Sequence, residues 1–308
     1  EKMEIRKSKF NYVYIIWTTL TVLIALMIVK KILAIPLLGA ITIISALFVG
    51  VFVLNYGLFG DWRNRVRLGL KKPATLNEVN GLNSINEEVF QKVSSFYPKV
   101  KKAEVFVIAE NDINAYALGQ KTIGITKGAL ASLNIGELKA VIAHEYGHLA
   151  NKDTLNFILL NTSFTILSIA LLPIYGISFF IGFVFAFVEG MLSGNSSIST
   201  SLLSVVTKIV GWSYLKYYEL GFYFVNLGSR DFEYRADEVA AKAGYGEELL
   251  SFFYLLEKTD GDVRKGLLAF LASTHPYTSY RIQNIEKFIG ISDSVNEIEY
   301  QNYSKLID

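Results

Sequence analysis

Cysteine is absent from this 308-residue chain, and histidine occurs only three times. The absence of cysteine excludes disulfide bonds, thiolate metal ligands and cysteine nucleophiles. Lysine and arginine number 30 against 28 aspartates and glutamates, so the net charge is only +2. Without a basic excess, or a basic block interleaved with aromatic residues, nucleic-acid binding has little support. Chemistry in this chain therefore rests with histidine, aspartate and glutamate.

Apolar residues make up 52% of the chain and the mean hydropathy is +0.34, which is more apolar than an ordinary soluble domain. The uncharged run Phe10–Val29 has 20 residues, enough to cross ~30 Å of hydrocarbon at ~1.5 Å per residue. A second run of 29 residues, Ile32–Gly60, follows two lysines and predicts a hairpin that turns around them. A secretory signal peptide is the alternative for the first run, but that run is long for one and lacks a small-residue cleavage pattern.

Two more apolar segments lie in the second half of the chain. Thr154–Val188 has 35 uncharged residues, which is more than one spanning helix needs. A break near Pro173 and Gly176 can separate the additional residues from that helix. The fourth segment, roughly Ser201–Phe224, either spans with a polar stripe turned toward protein or lies in the interface. We predict that it spans, which makes four transmembrane helices. Its stripe contains Lys208, Lys216 and Glu219.

Basic residues orient these helices. They cluster before the first run and after the second, whereas the serine- and glycine-rich stretch Glu189–Thr200 has no lysine or arginine. We therefore expect a multi-pass protein of the plasma membrane, with both termini and the soluble segments cytoplasmic and that stretch outside. The N-terminal tail and first hairpin are predicted at residues 1–60, and the second hairpin at 154–228. The two halves of a catalytic domain are predicted at residues 61–153 and 229–308.

The soluble segments have the pattern of a small α+β domain. Residues 79–100 look helical, and the short, apolar, β-branched segment Ala103–Ala109 predicts a strand. Asn114–Gly119 and Thr122–Thr126 follow at the spacing of a hairpin. These short strands favour a small sheet over a wound α/β domain.

The next helix carries the most specific motif in the sequence. Asn134 and Glu137 fit a capping box that begins a helix running to about Lys152. Residues 144–148 read His-Glu-Tyr-Gly-His. Positions four apart share one helical face, so both imidazoles can reach one Zn²⁺ while Glu145 sits beside the water that the metal activates.

A catalytic zinc site needs a third protein ligand and one open position. No histidine lies at the metzincin spacing, so the third ligand is expected to be a carboxylate on a later helix. Glu233 can bind the metal, and Asp237, four residues on, can accept a hydrogen bond from the distal nitrogen of a ligand histidine. A solvated run of ion pairs over residues 230–237 is the alternative. An even number of crossings between His148 and Glu233 lets the ligands meet, and the four-helix arrangement provides two.

The order of these elements resembles the HtpX-type membrane metalloproteases and the related integral-membrane CAAX prenyl proteases, which are gluzincins. The resemblance extends over nearly the whole chain: a hairpin, the strand NAYALG, the HExxH helix, a second hairpin, the helix S-R-x-x-E-x-x-A-D and a late His-Pro. Two departures are visible. The fourth helix is unusually polar, and the segment from His275 to Arg281 matches only at its ends.

The resemblance implies a zinc endopeptidase with one Zn²⁺ per chain, bound by His144, His148 and Glu233, with Glu145 as general base. It implies misfolded or damaged membrane proteins as substrates, in protein quality control, with these proteins and the lipid bilayer as the partners. The oligomeric state is not predicted. The resemblance also implies an edge strand on which extended substrate lies, formed by Asn114, Ala115, Tyr116, Ala117, Leu118 and Gly119.

The third histidine, His275, has two candidate roles. It can donate a hydrogen bond to the developing oxyanion as a catalytic residue. Alternatively, His275 and Pro276 form a turn that ends one helix before the next begins. The sequence leaves these two roles open.

Three other functions compete with this interpretation. An intramembrane site-2-type protease would carry HExxH inside a spanning helix, but charged residues lie on both sides of the motif here. A prenyl-protein protease is disfavoured because those relatives carry more spanning helices. A non-proteolytic scaffold stabilised by zinc has no use for a base such as Glu145.

Overall fold

The computed structural model describes residues 11–193, 197–259 and 278–290. The catalytic candidate His275 lies outside the described residues. A π-helical turn, Ala241–Tyr245, joins the eighth and ninth helices. The described elements are, in chain order, α1 (Asn11–Leu33), α2 (Leu37–Asn55), α3 (Gly57–Arg67), α4 (Leu76–Phe96), β1 (Glu104–Ile108), β2 (Ala115–Leu118), β3 (Thr122–Thr126), α5 (Lys127–Ser132), α6 (Ile135–Asn151), α7 (Asp153–Ser193), α8 (Ser197–Ala240), α9 (Gly246–Thr259) and α10 (Thr278–Ile289).

The chain divides into two compact units. The first, here called the helical unit, consists of Asn11–Asn55 and Phe157–Leu227. The second, here called the mixed unit, contains the described residues of Tyr56–Asn156 and Gly228–Asp308. The helices α7 and α8 each contain a boundary between the units, α7 after Asn156 and α8 after Leu227.

Three helices in the described ranges are long and apolar enough to cross a membrane: Tyr12–Leu33, Leu37–Asn55 and Asp153–Leu192. The predicted fourth span is helical, as part of α8, but it is not among these three. Its charged and hydroxyl-bearing residues lower its hydropathy. By length and composition, three of the four predicted spans are therefore supported among the described residues.

The helix ends also differ from those expected. The first hairpin turns after the two lysines, where Ala34 has φ +51°. The uncharged run Ile32–Gly60 is not one helix, because the chain breaks between α2 and α3 at Gly57, whose φ is +76°. That left-handed conformation suits glycine, which has no Cβ. The predicted break near Pro173 is absent, since α7 continues through this proline.

The helical unit packs through small residues and hydroxyl pairs. Ala25 and Ala40 are fully buried in a cluster that joins α1 and α2 with α7. Thr21 Oγ1 lies 2.8 Å from the Tyr217 hydroxyl, and Ser168 Oγ lies 2.6 Å from the Tyr214 hydroxyl. Small residues let helices approach closely, and such polar pairs join helices in an apolar environment. The tyrosines of α8 thus pack against the more apolar helices.

The mixed unit contains a three-stranded sheet in the order β1-β3-β2. The predicted hairpin is present, because β2 pairs antiparallel with β3. β1 pairs with β3 in parallel, an arrangement that the sequence pattern did not predict. Every residue of β3 is buried. The central position therefore belongs to β3, and β2 lies at an edge.

Helix α6 begins at the predicted capping box. Asn134 Oδ1 accepts a hydrogen bond from the Glu137 N–H at 3.0 Å, and Glu137 Oε2 accepts one from the Asn134 N–H at 3.0 Å. The helix packs against α4, α9 and β2 and is buried over most of its length. It ends at Asn151, and the φ of +60° at the following Lys152 lets α7 begin at Asp153.

The turn after β2 is held from two sides. Gly119 has φ +57°, and a Cβ there would lie 1.5 Å from Asp61 Oδ1 of α3. Asp61 is 3% exposed and accepts a hydrogen bond from the Gln120 backbone N–H. Thr154 Oγ1 donates to the Gly119 carbonyl at 2.6 Å. Only glycine fits this turn, since both its conformation and the neighbouring carboxylate exclude a side chain.

We predict that Tyr146→Phe destabilises the mixed unit. The fully buried Tyr146 hydroxyl donates to Asn86 Oδ1 at 2.7 Å and accepts from the Ala103 N–H at 3.0 Å. Losing it leaves a buried donor unsatisfied, which costs about 1–3 kcal/mol. A thermal-shift measurement in detergent should show a lower Tm. Tyr97→Phe is the control, because that hydroxyl is half-buried and donates to Asn151 at 3.4 Å; equal shifts for both variants would contradict the prediction.

Candidate active site

The two motif histidines present their Nε2 atoms to one point. Both project from α6, four residues apart, and both are largely buried. His144 Nε2 lies 3.2 Å from His148 Nε2, with the two rings nearly perpendicular at 88°. The helical spacing alone brings them together, as the sequence predicts.

Glu233 of α8 completes a triangle with these histidines. Its Oε2 lies 3.5 Å from His144 Nε2, and its Oε1 lies 3.4 Å from His148 Nε2. A tetrahedral zinc with bonds of ~2.05 Å requires ligand atoms ~3.3 Å apart. The separation of 3.2 Å between the two Nε2 atoms matches that edge length, and one oxygen of Glu233 lies 3.4 Å from His148 while the other lies 3.5 Å from His144. The residues His144, His148 and Glu233 therefore fit the donor set of a single zinc ion.

Asp237 supports the first histidine from behind. Its Oδ1 lies 2.8 Å from His144 Nδ1 and accepts the hydrogen bond that leaves Nε2 free to bind a metal. Arg281 of α10 donates to both oxygens of Asp237, from Nε at 2.8 Å and from Nη2 at 2.6 Å. The Nη1 atom of Arg281 also lies 3.1 Å from Glu233 Oε2. One buried guanidinium thus orients the carboxylate of a candidate metal ligand and the carboxylate behind a motif histidine.

Asp153 supports the second histidine in the same way. Its Oδ2 lies 3.0 Å from His148 Nδ1, and its Oδ1 accepts a hydrogen bond from Arg235 Nη2 at 3.0 Å. Asp153 is the first residue of α7, placed there by the left-handed Lys152. Each ligand histidine is therefore backed by a carboxylate that is paired with an arginine.

A close helix contact brings the two halves of the site together. Gly147 of α6 faces Ala236 of α8, and a Cβ on Gly147 would lie 2.7 Å from Ala236 Cα. Backbone cannot give way as a flexible side chain can. Glycine in the motif therefore sets the distance between the histidine helix and the helix that carries Glu233 and Asp237.

The surroundings of the histidines favour a positive charge. Burial alone would lower the pKa of His148, but the carboxylates of Asp153 and Glu233 raise it well above its ordinary value. Burial also opposes protonation of His144, and Asp237 and Glu233 together raise its pKa. An electrostatic environment that favours a proton on these rings also favours a metal cation between them.

The remaining predicted residues lie on α6 and β2. Glu145, next to His144, is 6% exposed. The register places the backbone of Asn114 against Thr126, whose N–H donates to the Asn114 carbonyl at 3.1 Å. Because antiparallel backbone groups alternate in direction, Ala115 and Ala117 point their N–H groups away from β3. The Ala115 N–H donates to Asn114 Oδ1 at 2.9 Å, so Ala117 carries the outward donor on this edge.

Sequence reasoning missed Asp153, Arg235 and Gly147 and assigned no role to Arg281. Asp153 and Arg235 looked like ordinary charges at helix ends and in an ion-paired run. Arg281 lies 44 residues from Asp237 in the chain, so no local spacing connects them. The one available signal is the glycine inside a motif helix, since an interior glycine disfavours a helix and usually has a packing reason.

Several known proteins are similar to part of this chain. Protease HtpX of Wigglesworthia glossinidia brevipalpis is 28% identical over 123 residues, 36% of this chain and 42% of that protein. Protease HtpX of Photorhabdus laumondii is 33% identical over 116 residues, 34% and 39% of the two chains. The Protease HtpX homolog of Thermoplasma acidophilum is 35% identical over 124 residues, which are 38% of this chain and 37% of that protein. The aligned part therefore spans about two fifths of each of these relatives.

A crystal structure of S. mikatae Ste24p is also similar, with a TM-score of 0.47 and 17% identity over 86% of this chain and 61% of that one. The family comparison covers more of the sequence than the alignments with the HtpX relatives do. Residues 78–289 match the model of peptidase family M48, a segment that holds both motif histidines, Glu233 and Arg281. With the family model matching more than half of its length, the chain belongs to peptidase family M48, a family of zinc metallopeptidases.

Proposed function

We propose that this protein is a membrane-embedded zinc endopeptidase that hydrolyses unfolded or damaged membrane proteins. The observation that carries the proposal is the convergence of His144, His148 and Glu233 on one point, with a carboxylate behind each histidine. A general base, Glu145, follows the first ligand on the same helix. A zinc site that served only structure would have no use for this base.

Each residue of the site has a distinct task in the proposed reaction. When bound, one Zn²⁺ lowers the pKa of its water toward ~7 and polarises the scissile carbonyl. Glu145 accepts the proton of the attacking water and later delivers it to the leaving amine. Asp237 and Asp153 accept hydrogen bonds from the Nδ1 atoms, which orients each ring so that its Nε2 points to the metal position. Arg281 keeps Glu233 and Asp237 in place. The oxyanion role of His275 stays a prediction.

The proposed substrate site is the open edge of β2. Helix α6 packs against this strand, so a peptide added to the edge would run beside the metal. Such pairing uses backbone groups and needs an extended chain, with little demand on side chains. This mode of recognition suits unfolded segments and therefore a role in protein quality control.

The proposed topology has four crossings of the plasma membrane, with the mixed unit and both termini in the cytoplasm. α8 carries the fourth crossing although it is less apolar than the other three. Lys216 and Glu219 form an ion pair at 2.6 Å, which reduces the cost of placing both charges in the bilayer. The exposed side chains Ile209, Trp212 and Leu215 suit contact with lipid.

We predict that His148→Ala loses both zinc and proteolysis, whereas Glu145→Gln keeps zinc and loses ~10²–10⁴-fold in rate. The difference arises because the histidine binds the metal and the glutamate only moves a proton. Metal content of the purified variants and digestion of casein would be measured together. Full zinc occupancy in both His144→Ala and His148→Ala would refute the site. A zinc-loaded wild type without proteolysis would support a scaffold instead.

We predict that Ala117→Pro raises KM for an unfolded protein by roughly two- to ten-fold, the effect of losing one hydrogen bond of ~0.5–1.5 kcal/mol. Zinc content and Tm should change little, because this N–H faces away from β3. Ala115→Pro is a matched control, since its N–H already donates to Asn114 and proline stiffens the strand equally. Equal KM values for wild type and a folded Ala117→Pro variant would exclude this edge as the docking site.

We predict that a cysteine replacing Ser196 reacts with an impermeant maleimide on intact cells. The chain has no native cysteine, so a single label reports one position. A cysteine replacing Lys101, which is exposed on the mixed unit, should react only after the membrane is opened. The reverse pattern, or labelling of neither position from outside, would overturn the proposed topology.

A further inference from the structure

Helix α3 follows a candidate membrane span almost without a break. α2 ends at Asn55 and α3 begins at Gly57. The left-handed Gly57, with φ +76°, interrupts the helix at this point. If α2 spans, the first turn of α3 therefore begins within a few residues of the hydrocarbon boundary.

One side of α3 is attached to the mixed unit. Asp61 is buried against the turn at Gly119. The guanidinium of Arg65 lies 5.1 Å from the centre of the Phe106 ring and 3.8 Å from Glu104 Oε2, both on β1. These contacts fix the rotation of the helix about its axis, and they determine which side is left outward.

The outward side of α3 is apolar. Phe59 is 50% exposed, Trp62 52% and Val66 63%, and the two aromatic rings contact each other at 5.5 Å. Spacings of three and four residues place these side chains on one stripe. Arg63 and Arg67 continue the same side, so that all five positions fall within an arc of ~140° at ~100° per residue. This surface is called the α3 stripe below.

We propose that the α3 stripe is a docking surface for anionic lipid headgroups. Trp and Phe side chains are favoured at the interface between hydrocarbon and water, and an apolar face edged by arginine is the pattern of an interfacial helix. The anionic cytoplasmic leaflet supplies the complementary charge. A lipid partner is favoured over a protein because α3 follows a candidate membrane span along the chain with one residue between them. The proposal does not depend on proteolytic activity.

Docking of the α3 stripe also constrains the opposite side of α3, which contacts the mixed unit. Asp61, on the opposite side of α3, contacts the glycine turn that ends β2. A helix held in the headgroup layer therefore holds the open edge of β2 at a fixed height above the membrane. Substrate segments leaving the bilayer would meet that edge at a constant distance.

The test uses the full chain in nanodiscs that hold one copy each. A Val66→Cys variant is labelled with an environment-sensitive fluorophore, and quenching by a lipid spin-labelled near the carbonyl region is measured. Discs contain either phosphatidylcholine alone or phosphatidylcholine with phosphatidylglycerol. We expect a blue-shifted, quenchable label that is more protected in the anionic discs. A Lys101→Cys label should stay water-exposed in both.

Charge variants separate headgroup binding from apolar insertion. Arg63→Gln with Arg67→Gln should shift the ratio of docked to undocked label toward the undocked state, on the order of five-fold for each arginine lost. Lys99→Gln with Lys101→Gln removes the same charge from exposed positions elsewhere and should leave the ratio unchanged.

Three results would overturn the proposal. A label that is water-exposed in both lipids means that the stripe does not dock. Equal protection in both lipids, unaffected by the arginine variants, means insertion without recognition of anionic headgroups. Protection that appears only when two copies share a disc identifies a second copy of the chain as the occupant.

Discussion

The contact between α6 and α8 at Gly147 and Ala236 is the constraint on which the site depends. A single Cβ at position 147 would meet the backbone of the other helix at 2.7 Å. At this separation, the histidines of one helix and the acidic residues of the other come within reach of the same ion. A wider spacing would leave several charged groups buried without partners, a state that costs far more than one contact stabilises.

The buried charges form one network with two branches that meet at Glu233, rather than a scatter of ion pairs. One runs from His144 through Asp237 to Arg281, and the other from His148 through Asp153 to Arg235. These branches draw on α6, α8, α10 and the first residue of α7. The positions of the candidate zinc ligands therefore depend on residues from distant parts of the chain.

The same arrangement links the site to the membrane segments through covalent continuity. α7 begins with Asp153 and continues as a candidate span, while α8 carries Glu233 and Asp237 at its far end. α3 follows another candidate span and holds the turn beside the edge strand through Asp61. The helices α7, α8 and α3, which carry these residues, thus either extend into the helical unit or directly follow it in the chain.

Patterns with short periods were predicted well. The capping box at Asn134, the hairpin of β2 and β3 and the convergence of the two motif histidines all follow from spacings of two to four residues. Longer apolar segments were predicted less well. The uncharged run to Gly60 looked like one helix, but the chain breaks at Gly57. The polar fourth segment is helical, and it is not among the three candidate spans of the described residues.

The sequence by itself determined the chemistry of the ligands, the apolar segments and the local strands, because each depends on neighbours along the chain. Tertiary structure alone decided the parallel pairing of β1 with β3, the roles of Arg281 and Asp153, and the side of α3 that faces outward. The physical reason is range. Helical and strand periodicity repeats over a few residues, whereas a buried arginine finds its carboxylate only after helices 44 residues apart in sequence have packed.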